Sequence, residues 1–185
     1  MSTWDELVLE CTRMIAADGM AAFSLRKLAD RVGIKAPSIY AHFGNKDALL
    51  AAARHSARSA LSAALLAGPT SRSPRKRLIA TSLGYLRFAQ DQPHLFALLM
   101  AHTPSERSSL KEPPDPDSPY ALLLTRVQDF LGPTHLQAEV LCLGLWSLVH
   151  GAAVLRQTHL DAFAPTIAGL VETNLEALLN GWCPQ

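Results

Sequence analysis

The stretch at residues 24–50 constrains the fold of this chain more than any other part of its sequence. It reads SLRKLADRVGIKAPSIYAHFGNKDALL, which places a short amphipathic segment on each side of Gly33 and a third segment after Asn45. Glycine tolerates the left-handed backbone that ends a helix, and Pro37 suits a first helical turn because its missing N–H would have no partner there. The pattern therefore predicts two short helices joined by a tight turn, with a third helix beginning near residue 46.

The second short helix, at about residues 37–43, has the side chains expected of a helix that enters a DNA groove. Ile39 and Phe43 lie four residues apart and can both face inward. The exposed start and flank of the helix then carry Lys35, Ala36, Ser38, Tyr40 and His42. Small residues allow close approach to base edges, whereas hydroxyl, imidazole and ammonium groups can donate to phosphate oxygens.

Positive charge is concentrated in the same part of the chain. Residues 24–46 contain five lysines or arginines and one acidic residue, a local charge of +4, whereas the whole chain carries +1. Such a region attracts a polyanion, although a solvated helix surface in a protein that binds no DNA can carry similar charges. From residue 61 onwards, nine basic and ten acidic residues give a net charge of −1, so we expect no DNA contacts there.

Residues 3–50 as a whole resemble the TetR (tetracycline-repressor-like) family of bacterial one-component regulators. The resemblance rests on the helix-turn-helix pattern and on a Tyr-x-x-Phe-x-x-Lys segment, here Tyr40, Phe43 and Lys46. It implies that phosphates are held by Ser24, Tyr40, His42 and Lys46. It implies that the residues nearest the bases are Lys35, Ala36, Pro37 and Ser38. Because Ala36 and Pro37 offer no side-chain hydrogen bond, base recognition would depend on few groups and on DNA shape.

The predicted fold class is all-α, with about nine helices. An N-terminal helix, with a capping box formed by Thr3 and Glu6, would pack across the two short helices and bury Trp4 in the core. A long helix would connect this three-helix helix-turn-helix domain to a helical ligand-binding and dimerisation domain. The predicted boundaries are residues 1–45 for the DNA-binding domain, 46–66 for the connecting helix and 67–185 for the C-terminal domain.

Prolines and glycines divide the C-terminal domain into five predicted helices. First-turn prolines predict helices over about residues 74–91, 93–102 and 119–131. Residues 103–118 contain four prolines among polar residues, so a mobile loop is expected there. Two further helices are predicted near residues 134–157 and from Pro165 onwards.

The helix near residues 134–157 carries no formal charge between Val140 and Leu155. This run is shorter than the roughly 20 apolar residues that cross a bilayer, so we predict no membrane contact and a helix buried on two faces. One face would pack in the domain core and the other against a second copy of the chain, and the final helix has the same need. The predicted dimer interface comprises Val140, Gly144, Ser147, Gly151, Val154, Ile167, Val171, Asn174 and Leu178.

Trp146 and His150 lie four residues apart and are the main polar features of an otherwise apolar domain. The segment Trp146-x-x-x-His150-Gly151 resembles the Trp-His-Gly pattern of one C-terminal subgroup of the family. Two interpretations of His150 stay open: a core histidine bonded to a carbonyl group, or the polar group of a pocket for a small hydrophobic effector. The predicted pocket residues are Tyr85, Phe88, Phe96, Met100, Tyr120, Trp146 and His150.

The sequence contains no motif that indicates catalysis, a cofactor or a metal site. It lacks a His-Glu-x-x-His motif, a glycine-rich phosphate loop and a serine nucleophile elbow, so no enzyme activity is expected. Cys11, Cys142 and Cys183 share no short spacing, which favours reduced thiols in the cytoplasm over a zinc site.

The sequence therefore predicts a cytoplasmic, homodimeric DNA-binding regulator that a small hydrophobic effector releases from a palindromic operator. The alternatives are a helical interaction protein whose basic N-terminal region binds an acidic partner, and an all-α enzyme that binds a small molecule.

Overall fold

The computed structural model describes residues 2–101, 115–132, 137–159 and 164–182. These ranges form nine α-helices and one short 3-10 turn (Met20–Ala22), and they contain no strand, which confirms the predicted fold class. The helices are α1 (Thr3–Asp18), α2 (Leu25–Val32), α3 (Ala36–Phe43), α4 (Lys46–Leu66), α5 (Pro74–Asp91), α6 (Pro93–Met100), α7 (Pro119–Leu131), α8 (Ala138–Thr158) and α9 (Ala164–Asn180).

The chain divides into two compact units, which we call the N-terminal unit and the C-terminal unit. The N-terminal unit comprises the described residues of Met1–Ala60 and Gln92–Ser108, and the C-terminal unit those of Leu61–Asp91 and Ser109–Gln185. Helix α4 therefore begins in the first unit and ends in the second. Helix α6 belongs to the N-terminal unit, although α5 and α7 on either side of it in the sequence belong to the C-terminal unit.

The capping box of α1 uses different residues from those predicted. The Ser2 hydroxyl accepts from the Asp5 backbone N–H at 3.2 Å, and the Asp5 carboxylate accepts from the Ser2 backbone N–H at 3.0 Å. The prediction of Thr3 and Glu6 was wrong by one residue, because Thr3 is already helical and Ser2 has the extended backbone of a cap. The Asp5 carboxylate also accepts from the Ser2 hydroxyl at 2.8 Å, and the hydrogen bonds that it accepts from the Ser2 backbone N–H and hydroxyl favour its ionised form and lower its pKa.

The turn between α2 and α3 forms at the predicted glycine. Gly33 has a φ of 77° in the left-handed region, and the next N–H, from Ile34, donates to the Ala29 carbonyl at 3.0 Å. Leu28 and Ala29 on α2 are buried, so α2 ends with its apolar face fixed against the core. Helix α3 then begins at Ala36, three residues after Gly33.

Helix α6 packs against α1 within the N-terminal unit. The His94 Nδ1–H donates to the Ala16 carbonyl in the last turn of α1 at 3.0 Å. The His94 ring also lies close to Gly19, where a Cβ atom would be 3.4 Å from the imidazole Cδ2. This contact joins residues far apart in the sequence and ties α6 to the end of the first helix.

Helix α5 is the centre of the C-terminal unit and packs against α7, α8 and α9. Arg75 near its start donates to the Glu176 carboxylate and, at 2.7 Å, to the Asn180 side-chain oxygen, both on α9. The Ala89 carbonyl near its end accepts from the Gln157 amide on α8 at 3.0 Å. Helix α9 is therefore hydrogen-bonded to the start of α5, and helix α8 to its end.

The observed helix boundaries in the C-terminal half lie close to the predicted ones. Helices α5 and α7 begin and end at the predicted residues, α6 ends at Met100, and α9 begins at Ala164. Helix α8 begins at Ala138, and residues 133–136, which include its predicted start, lie outside the described residues. Most of the loop predicted at residues 103–118 also lies outside them, since residues 102–114 are not described.

Helix α8 has one buried and one exposed face within the single chain, as expected for a helix whose second face was predicted to pack against another copy. It is the one helix among the described residues whose length and mean hydropathy of 1.7 would suffice to cross a membrane, a test that core helices of soluble proteins also pass. Only 33% of the apolar window is buried within the single chain. One face of α8 therefore packs in the C-terminal unit, while the other is exposed and apolar.

Candidate DNA-binding surface and effector site

Helix α3 presents hydrogen-bonding side chains outwards while one apolar residue anchors it. Ile39 is 1% exposed and fixes α3 to the core of the N-terminal unit. Of the six DNA-contact residues predicted on this helix and its cap, five are exposed and Ala36 is half-buried. The exposed residues are Lys35, Pro37, Ser38 and His42, together with Tyr40 on the adjoining face. A helix with this distribution can place its N-terminal half against another surface without losing its core contacts.

Two predicted phosphate-binding residues lie at helix N-termini beside α3. Lys46 begins α4, and its Nζ is 5.6 Å from the centre of the Phe23 ring, so a cation–π contact holds the exposed ammonium group. The Asn45 side chain caps α4 by accepting from the Ala48 N–H at 2.8 Å. Ser24 precedes α2 with an extended backbone, but its hydroxyl makes no capping hydrogen bond. Helix N-termini attract anions, which suits both positions.

An aromatic contact that the sequence did not reveal supports α3 from α1. The Trp4 and Phe43 rings stack with centroids 5.4 Å apart, while Trp4 remains 44% exposed. The prediction that Trp4 lies in the core was wrong, because it covers the end of α3 at the surface. An ion pair between Glu10 and Arg31, at 2.9 Å, joins α1 to α2 in the same unit. Both contacts depend on how the helices cross, which no local sequence signal encodes.

Four of the predicted pocket residues lie in contact with one another in the C-terminal unit. We call these four residues the aromatic cluster: Tyr85, Tyr120, Trp146 and His150. The Tyr85 hydroxyl is 2.9 Å from the His150 Nδ1, and Tyr85 also hydrogen-bonds the Trp146 side chain. The Tyr120 and Trp146 rings have centroids 5.7 Å apart. His150 is thus bonded to a side-chain hydroxyl on α5, where one interpretation of it expected a carbonyl group.

The remaining three pocket candidates are distributed over both units. Phe88 is buried on α5 in the C-terminal unit. Phe96 and Met100 lie on α6 in the N-terminal unit, where Phe96 is buried and Met100 is half-buried.

Burial keeps the titratable groups of this region neutral near pH 7. It raises the pKa of Tyr85 to about 12, an effect that the hydrogen bond from Trp146 opposes. It lowers the pKa of His150 below its ordinary value, which favours the uncharged imidazole. Burial also raises the pKa of the Cys142 thiol on α8 to about 12, and that of Cys11 on α1 to about 12. Such thiols are unreactive, and Cys183 lies outside the described residues.

The predicted dimer residues fall into two groups. Val140, Ser147 and Val154 are exposed on α8, Gly144 and Gly151 are half-buried on the same stripe, and Leu143 beside them is 59% exposed. On α9, Asn174 is exposed and Leu178 is half-buried, and Leu170, which was not among the predicted interface residues, is exposed.

Ile167 and Val171 are placed differently from the rest of the predicted interface. They continue into Leu175 and Leu179 at four-residue spacing, and all four are buried within the single chain. Their side chains therefore belong to the core of the C-terminal unit and do not lie on its exposed face.

Ser82 is a polar residue in this region that the sequence interpretation missed. It is 2% exposed, and its hydroxyl oxygen makes no hydrogen bond to any residue that the structure describes. Ser82, Tyr85 and Ala89 follow one another on α5 at three- and four-residue spacing, on the face whose last two members bond α8. A serine three residues before a tyrosine, on the apolar face of α5, is the sequence signal that could have identified it.

Comparisons with known protein families match both halves of the chain. Residues 11–53 match the family described as "Bacterial regulatory proteins, tetR family", and residues 78–178 match "Tetracyclin repressor-like, C-terminal domain". No curated protein matches the chain.

Several solved structures share the fold. A protein of unknown function from Rhodococcus sp. RHA1 is 25% identical with a TM-score of 0.78, covering 100% of this chain and 97% of its own. A TetR-family transcriptional regulator from Streptomyces coelicolor is 20% identical with a TM-score of 0.71, covering 95% of this chain and 78% of its own. A TetR variant from Acinetobacter baumannii AYE in complex with minocycline is 19% identical with a TM-score of 0.63, covering 95% and 93%.

Proposed function

Because this chain belongs to the TetR family of DNA-binding transcriptional regulators, we propose that it is a homodimeric repressor, which a small and largely apolar ligand releases from a palindromic operator. The protein acts in the cytoplasm and uses no cofactor or catalytic residue for this function.

The observation that carries the proposal is the surface of α3. Ile39 holds the helix by its buried side, and the exposed side chains on α3 and its cap include the ammonium group of Lys35, two hydroxyl groups (Ser38 and Tyr40) and the imidazole of His42. Lys35, Ala36, Pro37 and Ser38 approach the base edges in the major groove. Phosphates on either side are held by Ser24, Tyr40, His42 and Lys46. Contacts of the first kind select a sequence, and contacts of the second kind fix the helix on the duplex.

The exposed apolar face of α8 supports the dimer. Val140 and Leu143 are each 59% exposed although they lie in the run of α8 that carries no formal charge, and Leu170 on α9 is exposed as well. An exposed apolar stripe of this length is typical of a surface that another chain covers. Two copies related by a two-fold axis would place two α3 helices in successive major grooves, about 34 Å apart.

The effector would act by binding more tightly to one conformation of the dimer than to another, where the two conformations differ in the spacing of their α3 helices. A ligand that stabilises a spacing unsuited to the operator lowers DNA affinity by its difference in binding free energy between the two states. The A. baumannii relative, whose structure contains minocycline, shows that this fold accommodates a small molecule in that protein. The aromatic cluster is the place where we expect the ligand of the present chain.

The test is to select binding sites from a random DNA pool with the purified protein. We expect one palindrome to emerge, with an affinity that falls steeply as salt rises because several phosphates are contacted. Lys46→Ala should weaken binding to all sequences about equally and reduce the salt slope by about one. Lys35→Ala or Ser38→Ala should change which sequences are selected. If the Lys46 and Lys35 variants behaved alike, the assigned roles would be wrong.

The same experiment separates the two rival functions. A helical interaction protein with a basic N-terminal region would bind DNA weakly, show no sequence preference and yield no palindrome. An enzyme would give the same negative result. Either outcome would remove the repressor proposal, whereas a palindrome bound by a dimer would support it.

A further inference from the structure

We propose that the aromatic cluster recognises an uncharged aromatic ligand that carries a hydrogen-bonding group such as a phenolic hydroxyl, and that it rejects organic anions of the same shape. This inference rests on the proposed function, since it assigns a ligand class to the effector site. Apolar side chains alone would not distinguish ligands by charge or by hydrogen-bonding groups, whereas the aromatic cluster would.

The geometry of the cluster supplies flat surfaces and hydrogen-bonding atoms side by side. Tyr120 and Trp146 pair at 5.7 Å between centroids, and both have exposed surface. Tyr85, on the inner side, is 6% exposed and joins Trp146 to His150 through its hydroxyl. A planar ligand that inserts beside the accessible rings therefore meets polar atoms at its inner end.

The hydrogen bonds define which groups the ligand can use. An indole N–H can only donate, so the Tyr85 oxygen accepts from Trp146. The Tyr85 hydroxyl then has one hydrogen to donate, and the His150 Nδ1 lies 2.9 Å away to accept it. This arrangement needs a neutral imidazole, which burial of His150 favours. A ligand hydroxyl, able to both donate and accept, can join this chain of neutral groups without breaking it.

The charges around the cluster disfavour an anion. Burial raises the pKa of Tyr120, and the negative charge of the exposed Glu139 carboxylate on α8 raises it further. A carboxylate ligand beside Tyr120 would be repelled by this negative charge and would lose part of its hydration. A neutral ligand bears neither cost, and a quaternary ammonium group, which cannot make a hydrogen bond to Tyr85 or Ser82, lacks the gain that a ligand hydroxyl has.

Ser82 provides a second reason to expect a ligand with polar atoms. Its buried hydroxyl shares the α5 face that carries Tyr85 and has no hydrogen bond to a described residue. Leaving a buried hydroxyl unsatisfied is unfavourable, so a hydrogen-bonding group that reaches it gains free energy.

The experiment compares four naphthalene compounds that differ in one substituent: β-naphthol, naphthalene, β-naphthoate and (naphthylmethyl)trimethylammonium. Binding to the full chain without DNA is measured by isothermal titration calorimetry at neutral pH. We expect β-naphthol to bind roughly tenfold more tightly than naphthalene, the value of one good hydrogen bond, and β-naphthoate to bind more weakly than both. The proposal would be overturned if β-naphthoate or the ammonium compound bound as tightly as β-naphthol or more tightly. It would also be overturned if β-naphthol did not bind at millimolar concentration.

Two tyrosine variants locate the effect. Tyr85→Phe keeps the ring and removes the hydroxyl, so it should abolish the tenfold preference for β-naphthol over naphthalene. Tyr40→Phe, on α3, is the matched control and should retain that preference. Circular dichroism and thermal unfolding establish that both variants fold, and Ser82→Ala serves as a second variant if Tyr85→Phe is unstable. An unchanged preference in every cluster variant would contradict the assignment.

These outcomes are independent of the proposed function, because the titrations contain no DNA. A chain that binds β-naphthol through Tyr85 but selects no palindrome would retain the inference about the cluster and lose the repressor proposal. A chain that selects a palindrome but does not distinguish the four compounds would do the opposite.

Discussion

The two units of this chain differ in what they leave exposed. The N-terminal unit buries the apolar faces of short helices and presents hydroxyl groups and an imidazole on α3, with Lys35 before this helix and Lys46 after it. The C-terminal unit buries comparable apolar faces but also exposes a row of valine and leucine side chains along α8. The first unit offers polar side chains to a partner. The second leaves apolar side chains exposed to water, and contact with another chain would bury them.

This difference indicates what kind of partner each unit takes. Exposed charges gain little in water and gain much beside a polyanion, so the surface of α3 suits a charged partner whose binding depends on salt. Exposed aliphatic side chains gain free energy from any dry apolar contact, so the face of α8 suits a second copy of the chain.

The largest effect is expected from placing a charge on the exposed face of α8. Leu143→Glu should weaken self-association by at least about a hundredfold, because burying an unpaired carboxylate costs several kcal/mol. Operator binding should be lost together with the dimer. Sedimentation equilibrium measures the first effect and a DNA mobility assay the second.

A matched control uses another exposed leucine. Leu66 at the end of α4 is 53% exposed and lies outside the α8 face. Leu66→Glu should leave the association constant unchanged. Equal behaviour of the two variants would mean that the face of α8 is not an interface.

A smaller effect is expected where α5 approaches the end of α4 inside the C-terminal unit. A Cβ atom at Gly84 would lie 2.7 Å from the Ala64 carbonyl oxygen, so Gly84→Ala must push the two backbones apart. We expect the free energy of unfolding to fall by about 1–3 kcal/mol. Gly169→Ala on α9 is the control, since a Cβ there meets nothing within 4 Å. It should raise stability by up to about 1 kcal/mol. Urea unfolding of both variants tests the pair, and a stable Gly84→Ala variant would contradict the close packing.

The smallest effect concerns pH and the aromatic cluster. Burial lowers the pKa of His150 in the folded chain, so the unfolded chain binds more protons between the ordinary histidine pKa and the lowered one. Stability contributed by the neutral imidazole is therefore present at neutral pH and is lost as the pH falls from about 7 towards 5. Urea midpoints over this range should decline less in His150→Gln than in the parent chain. A steeper decline in the variant would show that His150 is charged when folded.

Most of the N-terminal unit could be predicted from sequence because its signals are local. Gly33 with its left-handed backbone, Pro37 in a first turn and Asn45 as a cap each act within a few residues of their own position. The alternation of buried Ile39 with exposed neighbours follows from the helical repeat in the same way. The contact residues proposed on α3 stay a prediction, although their exposure agrees with it.

The features that the sequence did not reveal have one common physical cause, which is that helix crossing is not a local property. Trp4 has the composition of a core residue and lies on the apolar side of α1, yet the crossing of α1 and α3 leaves it at the surface on Phe43. Ile167 and Val171 match an interface pattern, but the approach of α9 to α5 turns them inwards. The His94 contact with Ala16 could not be predicted for the same reason.

The sequence by itself determined the positions of the helices, the all-α class and the concentration of positive charge beside α3, because caps, breakers and periodicity act over one or two turns. Tertiary structure alone decided which apolar faces are covered within one chain, that His150 bonds Tyr85, and that α6 packs with the N-terminal unit. These outcomes depend on contacts between residues that are distant in the sequence, and their free energies become defined only when the helices have packed.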